Sequence, residues 1–179
     1  VEIQGVDFSE RALSFARAFS PGIEFSSQDL NDIKLAGQFD AVVFIETLEH
    51  IIPEEIPSVL EGLSQVLKLG GKLIVTVPSV NIPPVLKHYQ HFTRESLHEA
   101  LSGHFEIERI FGHSKIRNVG LLTRLFYWRL RLLANWLFPF RRRACVARLY
   151  DSLDTHYQKH LAVGQPADCY GLIAVCRKV

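Results

Sequence analysis

The chain has 179 residues, is 47% hydrophobic and carries a formal net charge of +1. That size and apolar content are enough for one sizeable core. The near-balanced charge gives no global argument for nucleic acid, which is not expected as a partner.

In chain order, Val1 to Val6 alternates loosely and ends in Asp7, as a strand would. The sequence contains no Met, and it starts directly in this strand-like segment. It therefore reads as a piece of a longer protein whose N-terminal part is missing. Ser9 is placed to cap a helix from about Glu10 to Ala18, with Ala12, Leu13, Phe15, Ala16 and Phe19 on its apolar side. Pro21-Gly22 ends it. Ile23 to Ser26 is predicted as a short strand, followed by Gln28-Asp29-Leu30.

The stretch from Phe39 to Ile52 organises the chain. Ala41 to Ile45 is an apolar run suited to a strand buried on both faces of a parallel sheet. The character then changes within one residue: Glu46, Glu49 and His50 follow, and Pro53 opens the next helix. In open α/β sheets ligands bind just beyond the carboxyl ends of strands, so three ionisable side chains here are a candidate site by position. If Glu46 to His50 form a helical turn, positions i, i+3 and i+4 share one face.

Glu54 to Lys68 is predicted helical, with Ile56, Val59, Leu60, Leu63, Val66 and Leu67 on one side and Gly70-Gly71 as its stop. Lys72 to Val77 is another buried strand, ended by Pro78. The order β-α-β-β-α-β with short links argues a doubly wound parallel sheet. After Thr93, Glu95 to Leu101 is helical and Gly103 breaks it. Phe105 to Phe111 and Cys169 to Lys178 read as further strands.

Cys145, Cys169 and Cys176 are odd in number and form no CxxC. A disulfide scaffold or zinc knuckle is not expected, and a reducing cytoplasm fits best. Neither a signal peptide nor an apolar span long enough for a bilayer is visible.

Asp7 alone leaves three readings open. It can cap a strand end. It can be the ribose-binding acid of a nicotinamide oxidoreductase, or that of another Rossmann-like family. The combination of motifs decides. Val-Asp-Phe-Ser then Ala-Leu, Gln-Asp-Leu, Phe39 to Ile51, and Leu-Lys-Leu-Gly-Gly-Lys-Leu-Ile-Val-Thr-Val-Pro resemble class I S-adenosylmethionine-dependent methyltransferases, in order and spacing, from Val1 to about Gly112. Tyr89 to Leu97 is similar to the family's pattern before a later helix. The resemblance implies an α/β, Rossmann-like, mostly parallel sheet with an antiparallel last strand, lacking its first strand and glycine-rich loop.

The resemblance also implies roles. Asp7 would accept hydrogen bonds from the cofactor's ribose hydroxyls, and Phe8 would pack on the adenine. Asp29 would take the adenine amino group, with Leu30 against the ring. Ile45 and Glu46 would lie beside the methionine portion of S-adenosyl-L-methionine. Catalysis would need in-line placement of the acceptor and exclusion of water. His50, beside Glu49, would be the base for an oxygen acceptor. Glu-x-x-Glu-His further resembles the metal site of the ubiquinone-pathway O-methyltransferases and the small-RNA 3′-end 2′-O-methyltransferases. In those a magnesium-type ion holds vicinal acceptor oxygens, and a later histidine completes the set. That implies Glu46, Glu49 and His50 with His91 or His88, His91 being the closer match. The alternative is a metal-free site with His50 hydrogen-bonded and the glutamates solvated.

Gly112 to Asp168 is far too long for a hairpin loop. From Arg109 to Tyr150 the chain holds ten Lys and Arg residues, no acid, and both tryptophans, Trp128 and Trp136. Arg117, Arg124 and Arg131 form one helical stripe, and Leu122, Leu125, Phe126, Leu133, Trp136 and Leu137 face away from it. Such a helical insertion fits a lid, a homodimer contact through residues 112–150, or an anionic membrane surface at the cytoplasmic side. The function expected is methylation of oxygen on a small-molecule, quinone-precursor, sugar or lipid-linked acceptor. The alternatives are a non-catalytic interaction module and a metal-dependent RNA 2′-O-methyltransferase.

Overall fold

A computed structural model describes residues 2–35, 38–83, 85–115 and 164–179. The helical insertion expected within 112–168 therefore lies largely outside the described residues. Strand β1 (Gln4–Asp7) leads into helix α1 (Glu10–Phe19), and β2 (Glu24–Ser27) pairs with β1 in parallel. Ser9 caps α1 as its residue type suggests, its hydroxyl accepting from the Ala12 backbone N–H at 3.3 Å.

Next come β3 (Phe39–Ile45), a 3₁₀ turn at Leu48–His50 and another at Pro53–Glu55. Helix α2 (Ile56–Val66) and β4 (Leu67–Pro78) follow. Helix α3 (Arg94–Ser102) opens with a reciprocal cap between Thr93 and Ser96. Strands β5 (Glu106–Lys115) and β6 (Cys169–Arg177) complete the order.

Four strands form one sheet in the order β3-β4-β6-β5. β3 and β4 are parallel, and β6 lies between β4 and β5 antiparallel to both. This is the mostly parallel α/β architecture with an antiparallel last strand that the sequence implies. The sheet is nevertheless divided. β1 and β2 form a separate two-stranded sheet, and no described strand pairs with both sheets.

Two boundaries differ from expectation. Helix α2 stops at Val66, because Leu67 is already extended and pairs with Phe39. Gly70 and Gly71 therefore lie inside β4 and do not cap the helix. The pair serves the strand instead. Gly70 has φ 75, a left-handed conformation that favours glycine. A Cβ on Gly71 would stand 2.8 Å from the Lys68 carbonyl oxygen. Both glycines exchange backbone hydrogen bonds with Lys178 at 2.9 Å.

One face of the four-stranded sheet makes the core. Phe44, Leu73, Val75, Val77, Leu172, Ala174 and Cys176 pack with Val59, Leu60 and Leu63 of α2 and Leu97 and Leu101 of α3. Burial pushes the Cys176 thiol up to about 12, so it stays protonated and inert. Leu30 and Ile33 reach this core from the segment after β2. The opposite face is open at β3, where Val43 is 57% and Ile45 60% exposed.

That asymmetry predicts a contrast. Leu60→Ala, on the fully buried side of α2, should lower unfolding free energy by about 2–5 kcal/mol. Val43→Ala, on the open side, should cost less than about 1 kcal/mol. Denaturant titration of both variants checks which face carries the core.

Candidate functional site

The site grows from the ends of two neighbouring parallel strands. β3 hands over to residues 46–50, and β4 hands over to the loop 79–92. Because the ladder runs from Ala41↔Lys72 to Ile45↔Thr76, both handovers fall at the same edge.

Glu46 has φ 44, left-handed backbone that a residue with a side chain rarely adopts. Thr76 holds it there. The Glu46 N–H donates to the Thr76 carbonyl at 3.0 Å and to its hydroxyl oxygen at 3.1 Å. The Thr76 hydroxyl in turn donates to Glu46 Oε1 at 3.0 Å. The turn that follows is 3₁₀, not a continuous α-helical turn, so Glu46, Glu49 and His50 do not share one helix face. Leu48 is its anchor in the core, and Glu49 is drawn in beside it, 1% exposed. Glu46 and His50 stay exposed.

Burial leaves Glu49 Oε2 without a hydrogen-bond partner among the described residues. Desolvation raises the Glu49 pKa above its ordinary value, and nearby Glu46 adds to the rise. A backbone hydrogen bond and His50 oppose it. Glu49 Oε1 lies 3.9 Å from His50 Nε2.

The 79–92 loop supplies the other wall. The Ser79 N–H donates to the Tyr170 carbonyl, Phe92 N–H to Pro78, and Tyr89 N–H to Glu49, all within 3.0 Å. Buried Phe92 anchors the return. This brings His88 edge-on to His50, ring centroids 4.6 Å apart. One ligand atom each from Glu49, His50 and His88 falls within 4.8 Å of the others. His91 stands behind, its Nε2 2.9 Å from His88 Nδ1. The family resemblance favours His91 for the cluster; the structure puts His88 in it and His91 one bond further out. Desolvation first, then His50 and His91, hold the His88 imidazole below its ordinary pKa, with Glu46 pulling the other way. A cavity of about 260 Å³ opens beside the cluster, lined by Val80, Ile82, His88, Tyr89, Gln90 and His91.

Of the residues expected to hold a cofactor, Asp7, Phe8, Asp29 and Leu30 follow the strands of the other sheet, whereas Ile45 and Glu46 belong to β3 and the turn after it. Asp7 ends β1, exposed, and its Oδ1 accepts from the Ser9 N–H at 2.8 Å. Asp29 follows β2 and accepts from the Asn31 N–H at 2.9 Å. Phe8 is 84% exposed. Leu30 packs toward the core, while Ile45 sits on the open face of β3. Thr76, Lys87 and Gln90 were not singled out from the sequence. Thr76 had one available signal, a hydroxyl two residues before the strand-ending Pro78.

Residues 1–71 match a family model described as a methyltransferase domain. No curated protein matches in sequence. Among solved structures, N-methyltransferase NodS from Bradyrhizobium japonicum, in complex with S-adenosyl-L-homocysteine, is 14% identical with a TM-score of 0.60. The alignment covers 99% of this chain and 66% of that one. TehB from Haemophilus influenzae is 11% identical with a TM-score of 0.58, over 100% of this chain and 50% of TehB. A SAM-dependent methyltransferase from Methanosarcina mazei is 14% identical with a TM-score of 0.58, over 99% and 82%. The chain thus spans half to two thirds of the first two. The fold is that of the class I S-adenosylmethionine-dependent methyltransferases; the family match covers residues 1–71 and the likeness in fold covers 99% of the chain.

The state of Glu49 yields a pH-dependent prediction. Its carboxyl pKa is raised above the ordinary 4.5, so the fold favours the protonated acid. The cost of ionising it is absent below that ordinary value and grows as pH rises from there through the folded-state value. Glu49→Gln escapes that cost. In metal-free buffer the variant should be more stable than wild type at neutral pH, by roughly 1 kcal/mol, with the gap closing in acid. Thermal melts across pH check this, and a less stable variant at neutral pH would mean the carboxylate is already satisfied.

Proposed function

We propose that the intact protein is an S-adenosylmethionine-dependent methyltransferase acting on oxygen of a small or lipid-linked acceptor. The observation that carries the proposal is placement. Asp7, Asp29, Glu46, Glu49 and His50 all follow the carboxyl ends of parallel strands, where α/β sheets bind ligands. The family match over residues 1–71 supports the same reading.

The cofactor, when bound, supplies an already activated sulfonium methyl group. The protein's share is then binding, orientation and proton removal. Asp7 offers carboxylate lone pairs to ribose hydroxyls, and Phe8 offers an exposed aromatic face to adenine. Asp29 offers an acceptor to the adenine amino group. The His50 Nδ1 lies 3.0 Å from the Lys87 carbonyl, so that nitrogen donates and Nε2 keeps its lone pair. A neutral imidazole so held can take the proton of an acceptor hydroxyl. NodS is named an N-methyltransferase, so the fold leaves the acceptor atom open, and oxygen rests on this base.

A divalent ion is part of the proposal. Glu49, His50 and His88 fit one, since the buried Glu49 Oε2 has no partner among the described residues and two imidazoles flank it. One carboxylate with two imidazoles suits iron or zinc better than magnesium, and manganese stands between, a hard ion placed above magnesium only by its readier acceptance of imidazole. Such an ion would supply charge to fix and acidify an acceptor oxygen. Glu46, tied to Thr76, would act from beside the set.

Asp7→Ala should weaken S-adenosylmethionine binding about tenfold or more. Calorimetry on the intact protein giving unchanged affinity would remove Asp7 from the site. A chelator should abolish methyl transfer, and added manganese should restore it. Full activity in chelator would leave His50 as a metal-free base.

The basic segment 112–150 is proposed to meet a second copy of the chain or an anionic membrane surface. No helix among the described residues is long and apolar enough to cross a membrane. Anionic vesicles should retain the protein in flotation, and charge reversal at Arg141, Arg142 and Arg143 should release it. If vesicles fail to retain it and it stays monomeric at high concentration, both partners are excluded.

A further inference from the structure

We propose that His91 is a positioning residue that sets the tautomer of His88. By doing so it aims the His88 Nε2 lone pair at the point where Glu49 and His50 converge. The inference rests on the reading of that cluster as a ligand-holding site, and it concerns a residue outside the cluster itself.

A carbonyl oxygen only accepts. His91 Nδ1 lies 3.1 Å from the Ile82 carbonyl oxygen, so that nitrogen carries the proton. In a neutral ring Nε2 is then an acceptor. It faces His88 Nδ1 at 2.9 Å, so His88 Nδ1 is the donor. His88 Nε2 is left with its lone pair free for the cluster. The opposite assignment would set an unprotonated His91 Nδ1 against the Ile82 carbonyl, lone pair against lone pair.

The chain of bonds ends on fixed backbone. Ile82 N–H donates to the Ser79 carbonyl at 3.0 Å, and buried Ser79 is tied to Tyr170 of β6. The Asn81 side chain donates to the Cys169 carbonyl at 2.8 Å. Phe92, next to His91, pairs with both Pro78 and Val80. The Ile82 carbonyl therefore has little freedom to turn. His50 reaches the same Nδ1–H tautomer directly, through the Lys87 carbonyl. His88 needs an intermediary, and His91 is the group that stands between it and the backbone. Metal-binding histidines commonly have their second nitrogen held this way. An imidazole released into water favours the Nε2–H form. Without His91, His88 would present a proton to the cluster where a lone pair is needed.

The test uses the full chain, isotopically labelled, with long-range proton–nitrogen correlation of the imidazoles at a pH where they are neutral. Wild type should show His88 protonated on Nδ1. His91→Phe keeps a ring of similar size but no acceptor, and His88 should switch to Nε2–H. His91→Gln places an amide oxygen near the lost Nε2, and His88 should keep Nδ1–H. Titration with manganese alone should then show roughly tenfold or greater weakening in His91→Phe and near-wild-type affinity in His91→Gln. A wild-type His88 protonated on Nε2 overturns the proposal, as does a tautomer unmoved by His91→Phe. If wild type takes up no manganese while the tautomers shift as stated, the metal reading above fails and the role of His91 stands.

Discussion

Every polar group of the candidate site depends on the parallel ladder between β3 and β4. Its register, Val43↔Ile74 and Ile45↔Thr76, sends Phe44 into the core and delivers both strand ends to one edge. A slip of one residue would exchange the faces of Phe44 and Val43. It would also part Glu46 from Thr76 and the Glu49 carbonyl from the Tyr89 N–H. The ladder is thus both the anchor of the core and the ruler that sets distances between the 46–50 turn and the 79–92 loop.

The turn would not hold its shape alone. Burying Leu48 contributes about 1.5–3 kcal/mol. An unsatisfied polar atom such as Glu49 Oε2 costs about 1–3 kcal/mol, and a left-handed residue such as Glu46 a similar amount. By central values those terms sum to roughly 2 kcal/mol unfavourable, so the surrounding sheet must hold the turn in place. A strained residue next to a desolvated carboxylate, with two imidazoles facing them, is the kind of departure that clusters at ligand sites. The neighbouring cavity is where a bound ligand would offset them.

Much of the fold was legible because local signals and long-range packing agree. Ser9 caps α1, Thr93 opens α3, and the apolar runs in β3, β4 and β6 are strands. Legibility failed where partners distant in sequence decide. Leu67 continues the apolar helical period, yet it is claimed by Phe39 across the ladder, so the helix ends early and Gly70-Gly71 joins the strand. The candidate site divides likewise. Glu49 and His50 at a strand end were readable by position. The left-handed Glu46 was not, because Thr76, thirty residues on, imposes it. Nor was the order of His88 and His91. Spacing treats the two as near equals. Only the Ile82 carbonyl, on a turn fixed by β6, makes one the inner ring and the other the outer.

The two readings open for Asp7, a cap and a ligand acceptor, turn out to be compatible. Its Oδ1 accepts from the Ser9 N–H and helps open α1, yet a carboxylate has about four lone-pair sites. One bond to a backbone amide fixes the group's direction and leaves capacity for hydroxyls. The same holds for Asp29, whose Oδ1 takes the Asn31 N–H. Both acids are thereby pre-oriented at adjacent strand ends, which lowers the entropy cost of binding. The local bond that makes each aspartate look merely structural is also what would make it an effective acceptor. A capping role is therefore no evidence against binding at Asp7 or Asp29.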